Sequence, residues 1–237
     1  MRKIAIVQSN YIPWKGYFDL IAAVDEFIIY DDVQFTKNDW RNRNKIKTQS
    51  GLKWISVPVG QDISRKIQDV EIKDRHWQTK HWSSIAHAYK RANYFDTIAN
   101  DLEPLYLDRE YSHLSVLNRT LIEFVCAKLC IQTKISNSSD YDLVVGKTDR
   151  LISLCEQVGA DIYVSGPSGR NYLNEAAFLN AGILVKWFEY EGYPEYSQLW
   201  GNFEHNVSII DLLFNHGLYA SKYMKHVINV DSYKGVL

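Results

Sequence analysis

Two carboxylates, Asp31 and Asp32, follow directly on the apolar run Phe27-Ile28-Ile29-Tyr30 and precede the basic, amide-rich segment Trp40-Arg41-Asn42-Arg43-Asn44. Successive side chains on an extended backbone point to opposite sides. One carboxylate is therefore expected to face a crevice, as a general base, a hydroxyl-binding acid or a magnesium ligand, while the other caps or pairs. The alternative is a strand-end turn held by an ion pair to Arg41 or Arg43. With Lys37, Lys45 and Lys47 nearby, Arg41 and Arg43 form a local basic cluster that can grip a phosphate bidentately, or simply give a solvated hairpin face.

A second constellation is Ser165-Gly166-Pro167-Ser168-Gly169-Arg170-Asn171-Tyr172. Glycine and serine between a strand and a helix can wrap an anion with backbone N–H groups. The segment matches none of the GxGxxG, GxxxxGK[ST] or GxSxG patterns. An anion pocket completed by Arg170 is thus a better reading than a nucleophilic Ser165 or Ser168. His81, in Trp77-Gln78-Thr79-Lys80-His81-Trp82, is a candidate general base. His76, His81 and His87 have the wrong spacing to share a metal on a helix, and Cys126 and Cys130 sit among apolar neighbours as packing residues. No structural zinc and no cofactor are expected. The loop Gln8–Gly16 contributes Gln8, Tyr11 and Trp14. The late aromatic stretch Tyr193–Phe203 contributes Gln198. Asp211, on an apolar helix face, is either a satisfied structural carboxylate or a ligand contact, and Ser208 reads as the cap of that helix.

These residues need a frame. Ile4–Val7 reads as a buried strand, Gly16–Val24 as a helix and Glu26–Tyr30 as a second strand, together a βαβ unit. A hairpin is predicted over 42–59, a short strand around Val70–Ile72, and helices over 74–92, 94–107 and 111–130. The alternating pattern resumes with strands at 133–136, 161–164 and 183–188 and helices at 148–158, 175–180 and 207–216, the last ending at Gly217. The tail from Val230 is expected to be loosely held. The predicted fold is one α/β domain over 1–237. It has a mostly parallel, Rossmann-like sheet with helices on both faces, a β-hairpin near 43–59 and a helical insertion near 74–130. In such sheets ligands bind beyond the carboxyl ends of the strands, which selects the loops Gln8–Gly16, Asp31–Arg43, Ser165–Tyr172 and the stretch after Phe188.

Composition narrows the classes. A net charge of −1 over 237 residues gives no global pull toward nucleic acid or an anionic membrane. No apolar stretch is long enough to span a bilayer and the start lacks a signal-peptide pattern, so the expected location is a reducing cytoplasm, in keeping with three cysteines. Seven Trp, sixteen Tyr and nine Phe are enough both to fill a core and to stack on a flat ligand.

Taken in order, the segments QSNYIPWKGYFDLI, Asp25–Val33, WRNRNKI, KHW with Ala88-Tyr89 downstream, SGPSGRNYL, Gly182-Ile183 and YSQLWGNF…SIIDLLFNHG resemble the WbqC-like protein family over nearly the whole chain. One departure is Ser9, where the family usually has proline; it is expected to loosen the first loop without removing a functional group. The resemblance implies a bacterial protein of surface-polysaccharide (O-antigen) biosynthesis, linked to the making of unusual sugars. The leading expectation is a transferase adding an acyl or aminoacyl group to a nucleotide-linked amino sugar. His81 or Asp32 (or its neighbour Asp31) would act as base, Arg41, Arg43 and Arg170 would hold phosphate, and Asn42 and Gln198 would position polar groups. Its ligand would be that sugar or a similar phosphorylated small molecule, with an acyl-carrier protein or CoA as donor. The alternatives are an adenylate-forming or nucleotidyltransferase-like enzyme and a non-catalytic partner of a carrier protein.

Overall fold

The computed structural model describes residues 1–228 except Arg75, so the tail from Val230 lies outside the described residues. The first strand, β1 (Lys3–Val7), leads through α1 (Lys15–Ala22) to β2 (Glu26–Ile29). The hairpin follows as β3 (Arg43–Thr48) and β4 (Gly51–Ser56), then α2 (Trp77–Tyr89), α3 (Phe95–Leu107) and α4 (Leu114–Lys128). The chain returns to the sheet with β5 (Lys134–Asn137), α5 (Lys147–Gln157), β6 (Ile162–Ser165), α6 (Glu175–Asn180) and β7 (Leu184–Trp187), and closes with α7 (Ile209–His216).

Five strands pair in the order β5-β2-β1-β6-β7, every neighbour parallel. Alternation along the strands divides the core. Ile4, Ile6, Ile28 and Tyr163 pack with Leu151, Leu154 and Cys155 of α5 and Phe178 of α6. The intervening Ala5, Phe27, Ile29, Ile162 and Val164 belong to a second cluster with Phe18 of α1 and Leu121 and Val125 of α4. Helices thus cover both faces, as expected for parallel strands that must hide two apolar sides. Each fully buried Ile, Leu or Phe contributes about 1.5–3 kcal/mol. The second cluster runs on into the insertion, where Ile46 and Ile55 of the hairpin meet Ile85 and Tyr89 of α2 and Phe214 of α7.

The strand predicted around Val70–Ile72 is not formed. The 3-10 turn Ile67–Asp69 precedes a single bridge, Glu71 to His113. Ile72 N–H donates to Ser112 C=O and Leu114 N–H to Val70 C=O, and α4 begins at Leu114, so the partner has no extended backbone left to pair.

At α7 the Ser208 hydroxyl accepts from Ile210 N–H, and Gly217 ends the helix at φ 55°. Asp211 is 1% exposed. Burial raises its carboxyl to about 6, with the Tyr89 and Tyr196 hydroxyls, Lys47 and Gln198 offsetting only part of that. The ordinary value is 3.8, so the folded chain holds this proton more tightly than the unfolded one. That contribution to stability is complete below about pH 4 and is lost as the pH rises through about 6. Asp211→Asn is therefore expected to exceed the wild type by about 2–3 kcal/mol at neutral pH and to match it near pH 4. Urea midpoints across that range check this; a difference that stays constant with pH would contradict it.

Candidate active-site cleft

The sheet order reverses between β1 and β6: the chain leaves β1 toward β2 and β5, then crosses back to build β6 and β7. Connections that depart in opposite directions leave a crevice at the carboxyl ends of those two strands. A cleft of about 610 Å³ opens there. Gln8 comes from the end of β1, Tyr30 and Val33 from the segment after β2, and Ser165 to Ser168 from the end of β6. Lys147, the first residue of α5, stands on one wall, with Tyr172 and Tyr190 on others.

Glycine shapes the β6 side. A Cβ at Gly169 would lie 2.5 Å from Ser165 Oγ and 2.9 Å from the Trp187 ring, so only glycine lets the 3-10 turn Pro167–Asn171 fold back against the strand ends. Lys147 brings an ammonium to the cleft, and Ser165 and Ser168 bring hydroxyls; the turn itself opens on Pro167, which has no N–H, and Gly169 N–H is taken by Gly166 C=O.

The first loop is held in a strained shape. Ile12, a β-branched residue, has φ 36°, in a region that costs such residues on the order of 1–3 kcal/mol. Its carbonyl accepts from Asn44 Nδ2 at 2.8 Å and from Ser208 Oγ at 2.7 Å, which fix it from the hairpin and from α7. Ser9 anchors the other end. Its N–H donates to Asp31 Oδ1 at 2.8 Å, its hydroxyl donates to Asp31 Oδ2 at 2.7 Å, and Asn118 Nδ2 donates to that hydroxyl at 3.0 Å. The expectation of a looser loop is therefore corrected: a proline could make neither donation, and the serine ties the loop to β2 and α4.

Asp31 and Asp32 are both buried, so neither faces open solvent. Asp31 accepts a third bond from Ser115. Burial raises its carboxyl pKa, and the bonds from Ser115 and Ser9 offset part of the rise. Asp32 accepts from Ser138 Oγ at 2.7 Å and pairs with Arg150 Nη1 at 2.8 Å. The partner expected from the sequence, Arg41 or Arg43, is replaced by an arginine on α5, more than a hundred residues along the chain, which no local pattern singles out.

The other selected residues are placed as follows. Arg41 donates to Gln8 and, at 3.2 Å, to Asn10 Oδ1, so it braces the first loop beside the cleft. Asn42 Nδ2 donates to Val57 C=O at 3.0 Å inside the hairpin. Arg43 lies over the Trp54 ring at 4.3 Å and Arg170 over the Trp187 ring at 4.9 Å; neither lines the cleft. Gln198 accepts from Lys47 Nζ at 2.6 Å and Glu204 N–H at 2.9 Å, which closes the late loop on itself. Gln8, Ser165, Ser168 and Tyr172 do line the cleft, whereas Tyr11 and Trp14 do not.

His81 is away from it, buried beneath the hairpin. Nε2 stands 3.2 Å from Ser56 C=O, which can only accept, so Nε2 carries the proton and Nδ1 accepts from Tyr11 OH at 2.8 Å. The Tyr11 oxygen is in turn 2.7 Å from Tyr106 OH. Burial pushes the imidazole down to about 4. With both nitrogens engaged, His81 is a core residue that joins α2 to the first loop, and it does not line the cleft where the base was expected. The sequence reading missed Tyr30, Lys147 and Tyr190. Each lies just past a strand end or at a helix start, and that position was the available signal.

Among the described residues no group of three or more His, Cys, Asp or Glu is placed to hold a metal ion, and no helix is long and apolar enough to cross a membrane.

A parallel sheet covered on both faces, with a cleft at its switch point, defines a doubly wound α/β protein. The chain belongs to the WbqC-like protein family, whose profile matches residues 8–223. It is 53% identical over 228 residues to the uncharacterized protein Rv1507c of Mycobacterium tuberculosis (strain ATCC 25618 / H37Rv), an alignment that covers 95% of this chain and 99% of that one. No solved structure matches it.

Proposed function

We propose that this chain is a transferase of bacterial surface-polysaccharide (O-antigen) biosynthesis, which binds a nucleotide-linked amino sugar in the switch-point cleft and receives an acyl or aminoacyl group from a CoA or acyl-carrier thioester. The observation that carries the reading is the lining of that cleft: the Lys147 ammonium and the Ser165 and Ser168 hydroxyls, with Tyr30, Tyr172 and Tyr190 as flat surfaces for a base. The phosphates lie against Lys147 and Ser168. The amine nitrogen of the sugar attacks the thioester carbonyl; the N–C bond forms, the C–S bond breaks, and the amine proton leaves with the thiolate as thiol. Asp31 and Asp32 act as positioning residues, Asp31 through Ser9 and the first loop, Asp32 through Arg150.

The parallel strand order also suits a nucleotide triphosphate, which supports a second reading, activation of a carboxylate as its adenylate. Exposed Trp40 and Trp54 beside Arg43 and Lys45 support a third, an acidic carrier protein held without turnover.

Calorimetric titration with UDP, dTDP, GDP and CDP tests the cleft. At least one is expected to bind, and Lys147→Ala is expected to weaken it about tenfold, the loss of one charge-assisted bond. Incubation of the matching nucleotide-linked amino sugar with acetyl-CoA, read by mass spectrometry, tests the transfer. Failure of all four nucleotides to bind would sink the reading; pyrophosphate release from ATP would replace it with the second.

A further inference from the structure

The first loop also lines a smaller pocket of about 230 Å³, with Asn10, Pro13, Trp14, Trp40, Asn44 and Asn206 around it. We infer that it is a pyranose subsite, holding the sugar ring of the ligand whose phosphates occupy the larger cleft. This deepens the proposed function and rests on it for the identity of that ligand.

The lining states the chemistry. None of the six residues is ionisable, so the pocket is not built for a phosphate or a carboxylate. Two indoles with the Asn10 and Asn206 amides are the complement of a neutral, polyhydroxylated ring. The indole faces cover the C–H face of a pyranose, and amides both donate and accept, as hydroxyls do. Asn10 gives its Oδ1 to Arg41, which leaves its amide nitrogen to donate elsewhere. Asn44 spends its side chain on the Tyr11 and Ile12 carbonyls and serves as wall. Trp40 is 40% exposed and tilts against Trp54 at 5.3 Å, an indole face kept at the surface.

The two pockets are neighbours. Gln8 lines the cleft and Asn10 the smaller pocket, and two residues of chain span at most about 7 Å. Arg41 bonds to both side chains. Trp14 lies 5.4 Å from Tyr190, which lines the cleft. The first loop thus contributes to both a cleft that carries the Lys147 ammonium and a pocket with no ionisable group, as a ligand with a diphosphate at one end and a sugar at the other requires.

The test uses methyl N-acetyl-glucosaminide and UDP as separate probes on the full chain. Saturation-transfer NMR is expected to show the glycoside bound through its ring protons. Trp40→Ala is expected to weaken it about tenfold, Trp40→Phe to retain most of it, and Lys147→Ala to leave it unchanged. Trp14→Ala serves as a second variant, with its thermal melt as a check, because the Trp14 ring packs directly on Gly16. Glycoside binding without binding of any nucleotide would leave the subsite standing and remove the cleft reading. Binding of UDP with no saturation transfer to the glycoside, or transfer that Trp40→Ala leaves intact, would overturn the subsite.

Discussion

Arg150→Met is expected to destabilise the chain by about 2–3 kcal/mol, less than at a fully buried pair because the Arg150 side chain is itself 25% exposed. Arg150 is the ion-pair partner of Asp32, whose side chain is 1% exposed. Without the guanidinium, one carboxylate oxygen keeps the Ser138 hydroxyl and the other is left charged and unpaired inside the protein. Adding Asp32→Asn to Arg150→Met removes the charge and is expected to recover most of the loss, so a double-mutant cycle read from urea midpoints isolates the pair. The effect reaches the cleft as well. Arg150 and Lys147 are three residues apart on α5, hence on one face, and the ion pair clamps the start of that helix to the end of β2. A loss below about 1 kcal/mol for Arg150→Met would show that the pair is solvated and holds nothing.

At the opposite end of the sheet, Glu26→Gln is expected to cost about 3 kcal/mol at neutral pH. Glu26 opens β2 with no exposed surface. Burial alone would raise its carboxyl, but bonds from Tyr141, Ser136, Lys134 and Arg2 outweigh that and hold it at about 2, below the ordinary 4.5. Arg2 donates at 2.7 Å, the Ser136 hydroxyl at 2.7 Å, and Lys134 Nζ lies 3.0 Å away. A depressed carboxylate contributes stability that is present above its unfolded value and is lost as the pH falls through its folded one. The wild type is therefore expected to lose this stability between about pH 4.5 and 2, a loss absent from Glu26→Gln. Unfolding curves that stay parallel for the two proteins from neutral pH down to about 3 would refute the assignment. Glu26 and Asp211 thus oppose each other: acid removes the contribution of the first and relieves the penalty of the second.

How far the sequence could be read differs between the frame and the site. Strand positions were legible because parallel strands buried on both faces leave runs such as Ile4–Val7 and Glu26–Ile29, and helix positions because one buried stripe recurs at helical spacing. The place of Gln8, Ser165, Ser168 and Tyr172 at or beyond the strand ends, where they line the cleft, was legible for the same reason. His81 misled because a histidine in a polar-aromatic segment has the same letter whether it faces a substrate or a tyrosine hydroxyl.

The order of letters determined by itself that this is a parallel α/β chain with a helical insertion and a family signature spread along its length. Hydrophobic period and turn chemistry are local properties, and local properties survive in one dimension. Which charge meets which was decided only in three dimensions. Arg150 rather than Arg41 neutralises Asp32, Ser9 tightens the loop it was expected to loosen, and His81 is sealed in the core. The physical reason is that a buried polar group takes the partner that folding brings within about 3 Å, and sequence distance says nothing of that choice.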